Sequence, residues 1–149
     1  MGERKLSGAV FWALVGVFIV IACVFLIPAA RELIIGFLFI IISGTVFCLL
    51  GGALIFLTVK EKVSGLRKKF LLLTGASAAG FIVSILLHNA IYGLFIHFFG
   101  ADFWNGGDEP FFFIMGVFVC PLGFLVGTVG SIVLAIRNLR MAEKSPFSP

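Results

Sequence analysis

The side chains that could do chemistry are few, and most fall within one apolar run. Ser84, His88, Asn89 and Tyr92 lie there, with Ser77 upstream. At about 100° per residue, a helix puts Ser77, Ser84, His88 and Tyr92 in one sector of roughly 80°. Imidazole titrates near neutrality, which suits a ligand site or a proton relay. The competing role is structural, with His88, Asn89 or Tyr92 hydrogen-bonding across helices. Pro121 leaves the Val117 carbonyl without its helical donor, and Tyr92 or Asn89 is placed to supply one. Of the two roles, the structural one is favoured. Counting about 1.5 Å per residue from the end of the run near Phe99 sets His88 near the middle of a bilayer.

A second group, His97, Asp102, Asp108 and Glu109, combines imidazole with carboxylates, a donor set that suits a divalent transition metal. The spacing matches no ligand motif, so a solvated acidic loop beside an interfacial histidine is the simpler expectation. His88 and His97 are nine residues apart and point to opposite sides of a helix, so they cannot share one haem iron within a chain. The three cysteines, Cys23, Cys48 and Cys120, form no CxxC and are absent from the acidic loop. They are expected to act as small packing residues rather than as a redox pair. No hydrolase motif or phosphate-binding glycine loop is present. No catalytic residue and no cofactor is expected, and the chain is not expected to be an enzyme.

These residues are carried by four stretches without Asp, Glu, Lys or Arg: Leu6–Ala30, Leu33–Val59, Phe70–Ala101 and Pro110–Ile136. Each exceeds the ~20 residues a helix needs to cross ~30 Å of hydrocarbon, and none has the polar stripe of a soluble core helix. The chain is 61% hydrophobic and 12% charged, about half the charge of an ordinary soluble domain. The expected fold is all-α, a polytopic integral membrane protein. Four transmembrane helices at approximately 7–29, 33–58, 70–99 and 111–136 would form one domain over residues 1–149. Short tails at 1–6 and 138–149 complete it. A cleaved signal peptide is disfavoured, because the first apolar run is longer than the usual 7–15 residues and Pro28 is poorly placed for cleavage.

Charge sets the orientation. Arg4, Lys5, Lys60, Lys62, Arg67, Lys68, Lys69, Arg137, Arg140 and Lys144 all fall on one side of the four spans. Arg31 falls on the other side, with Glu32, Asp102, Asp108 and Glu109. The positive-inside rule places the basic side, with both termini, in the cytoplasm. Lys60, Lys62, Arg67, Lys68 and Lys69 read as anchors to anionic headgroups. Pro28–Glu32 is a tight hairpin link, and Asn105-Gly106-Gly107 is a turn in the longer acidic loop.

Helices in lipid associate through small residues and interhelical hydrogen bonds. Gly44, Gly51, Gly75, Gly80, Gly123, Gly127 and Gly130 are the packing candidates, and Gly123 and Gly127 form a GxxxG. They suit internal packing of a four-helix bundle better than a homodimer. The seven-residue spacing of Gly44 and Gly51 recurs in Gly123 and Gly130, a faint sign of an internal repeat.

No Asp, Glu, Lys or Arg lies within the runs, which counts against proton- or cation-coupled transport. The embedded glutamate of small multidrug exporters is missing. So are the outer-loop cysteines of claudin-like and tetraspanin-like proteins, and the charged second-helix motifs of membrane-associated glutathione-transferase-like enzymes. The expected function is a non-enzymatic accessory or structural subunit of a plasma-membrane complex. The alternative is a small transporter or channel with a polar path along the third helix. The expected partners are the lipid bilayer and another membrane protein or a second copy of the chain, with no nucleic acid.

Overall fold

A computed structural model describes residues 6–28 and 36–143, and every regular element in it is helical. Four helices are long and apolar enough to cross a membrane. Helix α1 spans Leu6–Leu26, α2 Phe37–Lys60 and α3 Gly65–Phe99. Helix α4 has three parts: Pro110–Ile114, a π-turn at Met115–Val119, and Cys120–Glu143. A short 3-10 turn, Ala101–Trp104, lies between α3 and α4. The Arg31–Glu32 link, Arg4, Lys5 and Lys144 lie outside the described residues.

The boundaries differ from the expected ones for local reasons. Helix α1 stops at Leu26, ahead of Pro28, whose ring clashes with a helical carbonyl upstream. Helix α3 begins at Gly65 instead of 70, so Arg67, Lys68 and Lys69 form its first turns and not a loop. Only Glu61–Ser64 separates it from α2. That turn is closed by a Schellman pair, Val63 N–H to Thr58 O at 3.2 Å and Lys62 N–H to Val59 O at 3.1 Å. Lys62 takes the left-handed conformation with φ 50°, and buried Val63 packs into the core. The expected tail at 138–149 is helical as far as Glu143.

Helix α3 is central, packing against both α2 and α4, while α1 packs mainly on α2. Glycines permit the closest approaches. A methyl group at Gly51 would lie 2.8 Å from the Gly75 carbonyl oxygen, and one at Gly75 would lie 2.8 Å from that of Gly51. Between α3 and α4, a methyl at Gly123 would meet Ser77 Oγ at 2.5 Å. At Gly127 it would meet Thr74 Oγ1 at 2.5 Å and the Phe70 carbonyl oxygen at 2.9 Å. A methyl at Gly130 would meet the Phe70 ring at 2.5 Å, whereas one at Gly44 or Gly80 would meet only a side-chain tip, Ile82 Cδ1 or Cys120 Sγ. The GxxxG is therefore used inside the chain.

Leu14, Leu54, Leu71 and Phe124 fill the space among the four helices. Phe18 and Phe47 pack at a tilt around Phe124, with centroids 4.6 and 5.3 Å from it. Beside them is an apolar cavity of about 180 Å³, walled also by Phe81, Cys120 and Pro121. Most outward residues, among them Leu38, Phe56, Leu86 and Leu122, are large and apolar. Such a surface is suited to hydrocarbon and would be an aggregation liability in water. At the basic end, the Ser7 amide and hydroxyl both donate to the Glu61 carboxylate, the amide at 3.0 Å. An acidic group from the α2–α3 turn thereby satisfies a first-turn donor of α1 and complements its dipole.

Candidate functional site

The site forms where the chain leaves α3 and returns as α4. After Phe99 the backbone passes through the 3-10 turn, then Asn105 and Gly106 with φ of 49° and 74°. These left-handed residues reverse the direction, so Asp108 and Glu109 come back beside His88. His88 Nε2 lies 3.3 Å from Asp108 Oδ2, and Nδ1 lies 3.4 Å from Glu109 Oε2. Nδ1 is also 3.1 Å from the Glu109 carbonyl oxygen. Both ring nitrogens thus face oxygen acceptors.

Glu109 is the most enclosed group here, with a side chain 7% exposed, against 16% for His88 and 57% for Asp108. It is the N-cap of α4: its carboxylate accepts the Phe111 and Phe112 amides at 2.8 and 2.9 Å. Pro110 follows at the first helical position, where its missing N–H costs nothing. The Asp108 carboxylate accepts the Glu109 amide at 2.9 Å. One carboxylate therefore starts a helix and holds a histidine from the preceding helix. An aromatic column continues from the site. Tyr92 stacks between His88 and Trp104, with centroids 6.5 and 6.0 Å away, and Trp104 Nε1 reaches the Tyr92 carbonyl at 3.5 Å.

Several expectations are corrected by this geometry. His88 is not at the midpoint of the helices. Gly75 opposes Gly51 of α2, and Ser77 opposes Gly123 of α4, so the mid-level lies near Ser77. His88, eleven residues further along, is about 16 Å away, level with the first turn of α4. Helix α3 overshoots its neighbours because its 35 residues are more than the span requires. Asn89 does not bridge helices; its side-chain amide donates to Ile85 O at 2.8 Å on its own helix. The Val117 carbonyl is not met by Tyr92 or Asn89. The proline is accommodated instead by the π-turn, in which the Cys120 amide reaches back to Met115 O.

His97, Asp102, Asp108 and Glu109 do not come together as a metal site. His97 is exposed and lies edge-on to Phe98, and no metal-suited group of three or more His, Cys, Asp or Glu exists among the described residues. The cluster of His88, Asp108 and Glu109 was thus divided between two groups in the sequence. Glu109-Pro110 ahead of an apolar run was the available signal, since an acidic residue before a first-turn proline marks a helix start.

The rest of the polar face of α3 points inward. Ser77 and Ser84 are buried, opposite Gly123 and Gly116. Lower down, Thr58, Thr128 and Ser131 bury hydroxyls with no hydrogen-bond partner among the described residues. Comparison with protein-family models, with curated proteins and with solved structures finds no match to this chain.

Proposed function

We propose that this chain is a non-enzymatic accessory or structural subunit of a plasma-membrane complex, crossing the bilayer four times. The observation that carries this reading is the closure of the polar face of α3. A permeation path would have to run past Ser77 and Ser84, yet the backbone of α4 sits against that face at Gly123 and Gly116. The neighbouring cavity is lined mainly by phenylalanine, and the His88 ring is engaged on both nitrogens. With the serine face covered by α4 and His88 engaged, little is left for a solute to bind.

The orientation proposed places the basic end in the cytoplasm. Among the described residues, Lys60, Lys62, Arg67, Lys68, Lys69, Arg137 and Arg140 lie at one end of the helices. Asp102, Asp108 and Glu109 lie at the other. In a chain freed of its native cysteines, Asn105→Cys should be labelled by an impermeant maleimide from outside. Ser64→Cys should be labelled only after permeabilisation, and the opposite pattern would reverse the orientation. The accessory role is tested by cross-linking in native membranes followed by purification in mild detergent. A stoichiometric membrane partner is expected, and proteoliposomes of the chain alone should show no solute or ion flux. Flux abolished by Ser84→Leu would instead establish the transporter reading.

A further inference from the structure

We infer that the outward face of α4 at the basic end is a binding site for one anionic phospholipid. Its acyl chain would lie in a groove and its phosphate on Arg137 and Arg140. Two adjoining features carry this. The first is an open apolar groove of about 420 Å³ between α3 and α4, lined by Phe70, Leu125, Val126, Val129 and Gly130. The second is a cleft of about 280 Å³ lined by Val133, Ile136, Arg137, Arg140 and Met141.

The two follow one another along α4. From Val126 to Met141 the lining residues on α4 recur every three or four positions, which keeps them within a sector of about 140°. Gly130 belongs to this stripe, and its missing side chain lets the Phe70 ring form one wall. Val126 and Arg137 are separated by about 16 Å along the axis, so the stripe changes from apolar to cationic over the length of an acyl chain. That is the polarity profile of a phospholipid in the leaflet at this end.

Charge chooses among lipids. Arg137 and Arg140 are exposed, and neither is paired with a carboxylate among the described residues. Spaced three apart, they present two planar guanidinium forks to one position, a geometry that matches phosphate oxygens. The site differs from the headgroup anchors at Lys60–Lys69 because an open apolar groove adjoins its cations. A zwitterionic lipid carries a choline or ethanolamine cation that would meet these arginines; an anionic one does not. The inference rests on the membrane-spanning reading and is independent of the accessory role.

The test is lipid binding by the full chain in detergent, read by native mass spectrometry and by thermal shift. The probes are phosphatidylglycerol, phosphatidylcholine of the same chain length, and inorganic phosphate. Phosphatidylglycerol should bind best. With each cation near the surface contributing on the order of fivefold, the Arg137→Gln/Arg140→Gln pair should weaken it about 25-fold. The equally charge-reduced Lys60→Gln/Lys62→Gln pair, at anchors with no adjoining groove, should weaken it clearly less. Val129→Trp, which fills the groove but keeps both arginines, should also weaken phosphatidylglycerol. Equal binding of the two lipids, equal losses in the two double variants, or stabilisation by inorganic phosphate alone would overturn the site. Resistance of the parent chain to alkaline extraction from membranes checks the spanning reading separately.

Discussion

The two ends of the α3–α4 pair are held by different physics. Toward the basic end α4 lays Gly123, Gly127 and Gly130 against α3, meeting its backbone at Gly127 and the Ser77 and Phe70 side chains at the other two. The contact is dispersion over a close, rigid surface, the main means of association when lipid is as apolar as the side chains. At the acidic end the helices are joined by His88 with Asp108 and Glu109, over a carboxylate that also caps α4. The first contact tolerates no added volume and is indifferent to charge. The second tolerates changes of shape that keep its hydrogen bonds. Close packing in the middle and a polar tie at the edge is a sensible division, because a polar tie deep in hydrocarbon would have no water to fall back on.

The largest effect should come from the packed region. Gly127→Leu would drive a side chain into Thr74 and the Phe70 carbonyl. It should cost about 1–3 kcal/mol through overpacking and lower the thermal midpoint in detergent. Unchanged stability would mean that α4 does not sit on α3 at this face.

Next comes the polar tie. Glu109→Ala removes the acceptor for the Phe111 and Phe112 amides and should cost about 1–2 kcal/mol, as for loss of a helix cap. Glu109→Asp, a shorter acceptor with good capping geometry, should recover part of this. Equal losses in both variants would show that reach to His88, not capping, sets the cost.

His88 offers a finer test. His88→Gln retains hydrogen bonding and should fold and assemble like the parent, while His88→Leu should lose about 0.5–2 kcal/mol. The partner at Asp108 is more than half exposed, so that pair contributes no more than about 1 kcal/mol. A Gln variant that stays folded yet loses activity in cells would assign His88 a functional role and blur the contrast between the two ends. The smallest effect expected is a gain. Thr128 buries a hydroxyl without a partner among the described residues. Thr128→Val should therefore be neutral or stabilise by up to about 1 kcal/mol, since an unsatisfied hydroxyl is a cost.

Four helices could be read directly from the chain because charge is excluded from hydrocarbon whatever the fold, so the uncharged runs mark the spans without any tertiary information. The small-residue spacing was equally visible, since only glycine leaves room for two backbones to touch. What glycine touches was not visible: the sequence permits Gly123 and Gly127 to meet a second copy, and the placement of Thr74 and Ser77 decides for α3. The level of His88 and the company of Asp108 and Glu109 were also beyond reach. They depend on how far α3 overshoots its neighbours and on the left-handed turn at Asn105 and Gly106, which brings residues twenty positions apart into contact. Partition into lipid is a property of each segment alone, whereas a pairing across a reversed chain depends on a relative height that only the packed helices fix.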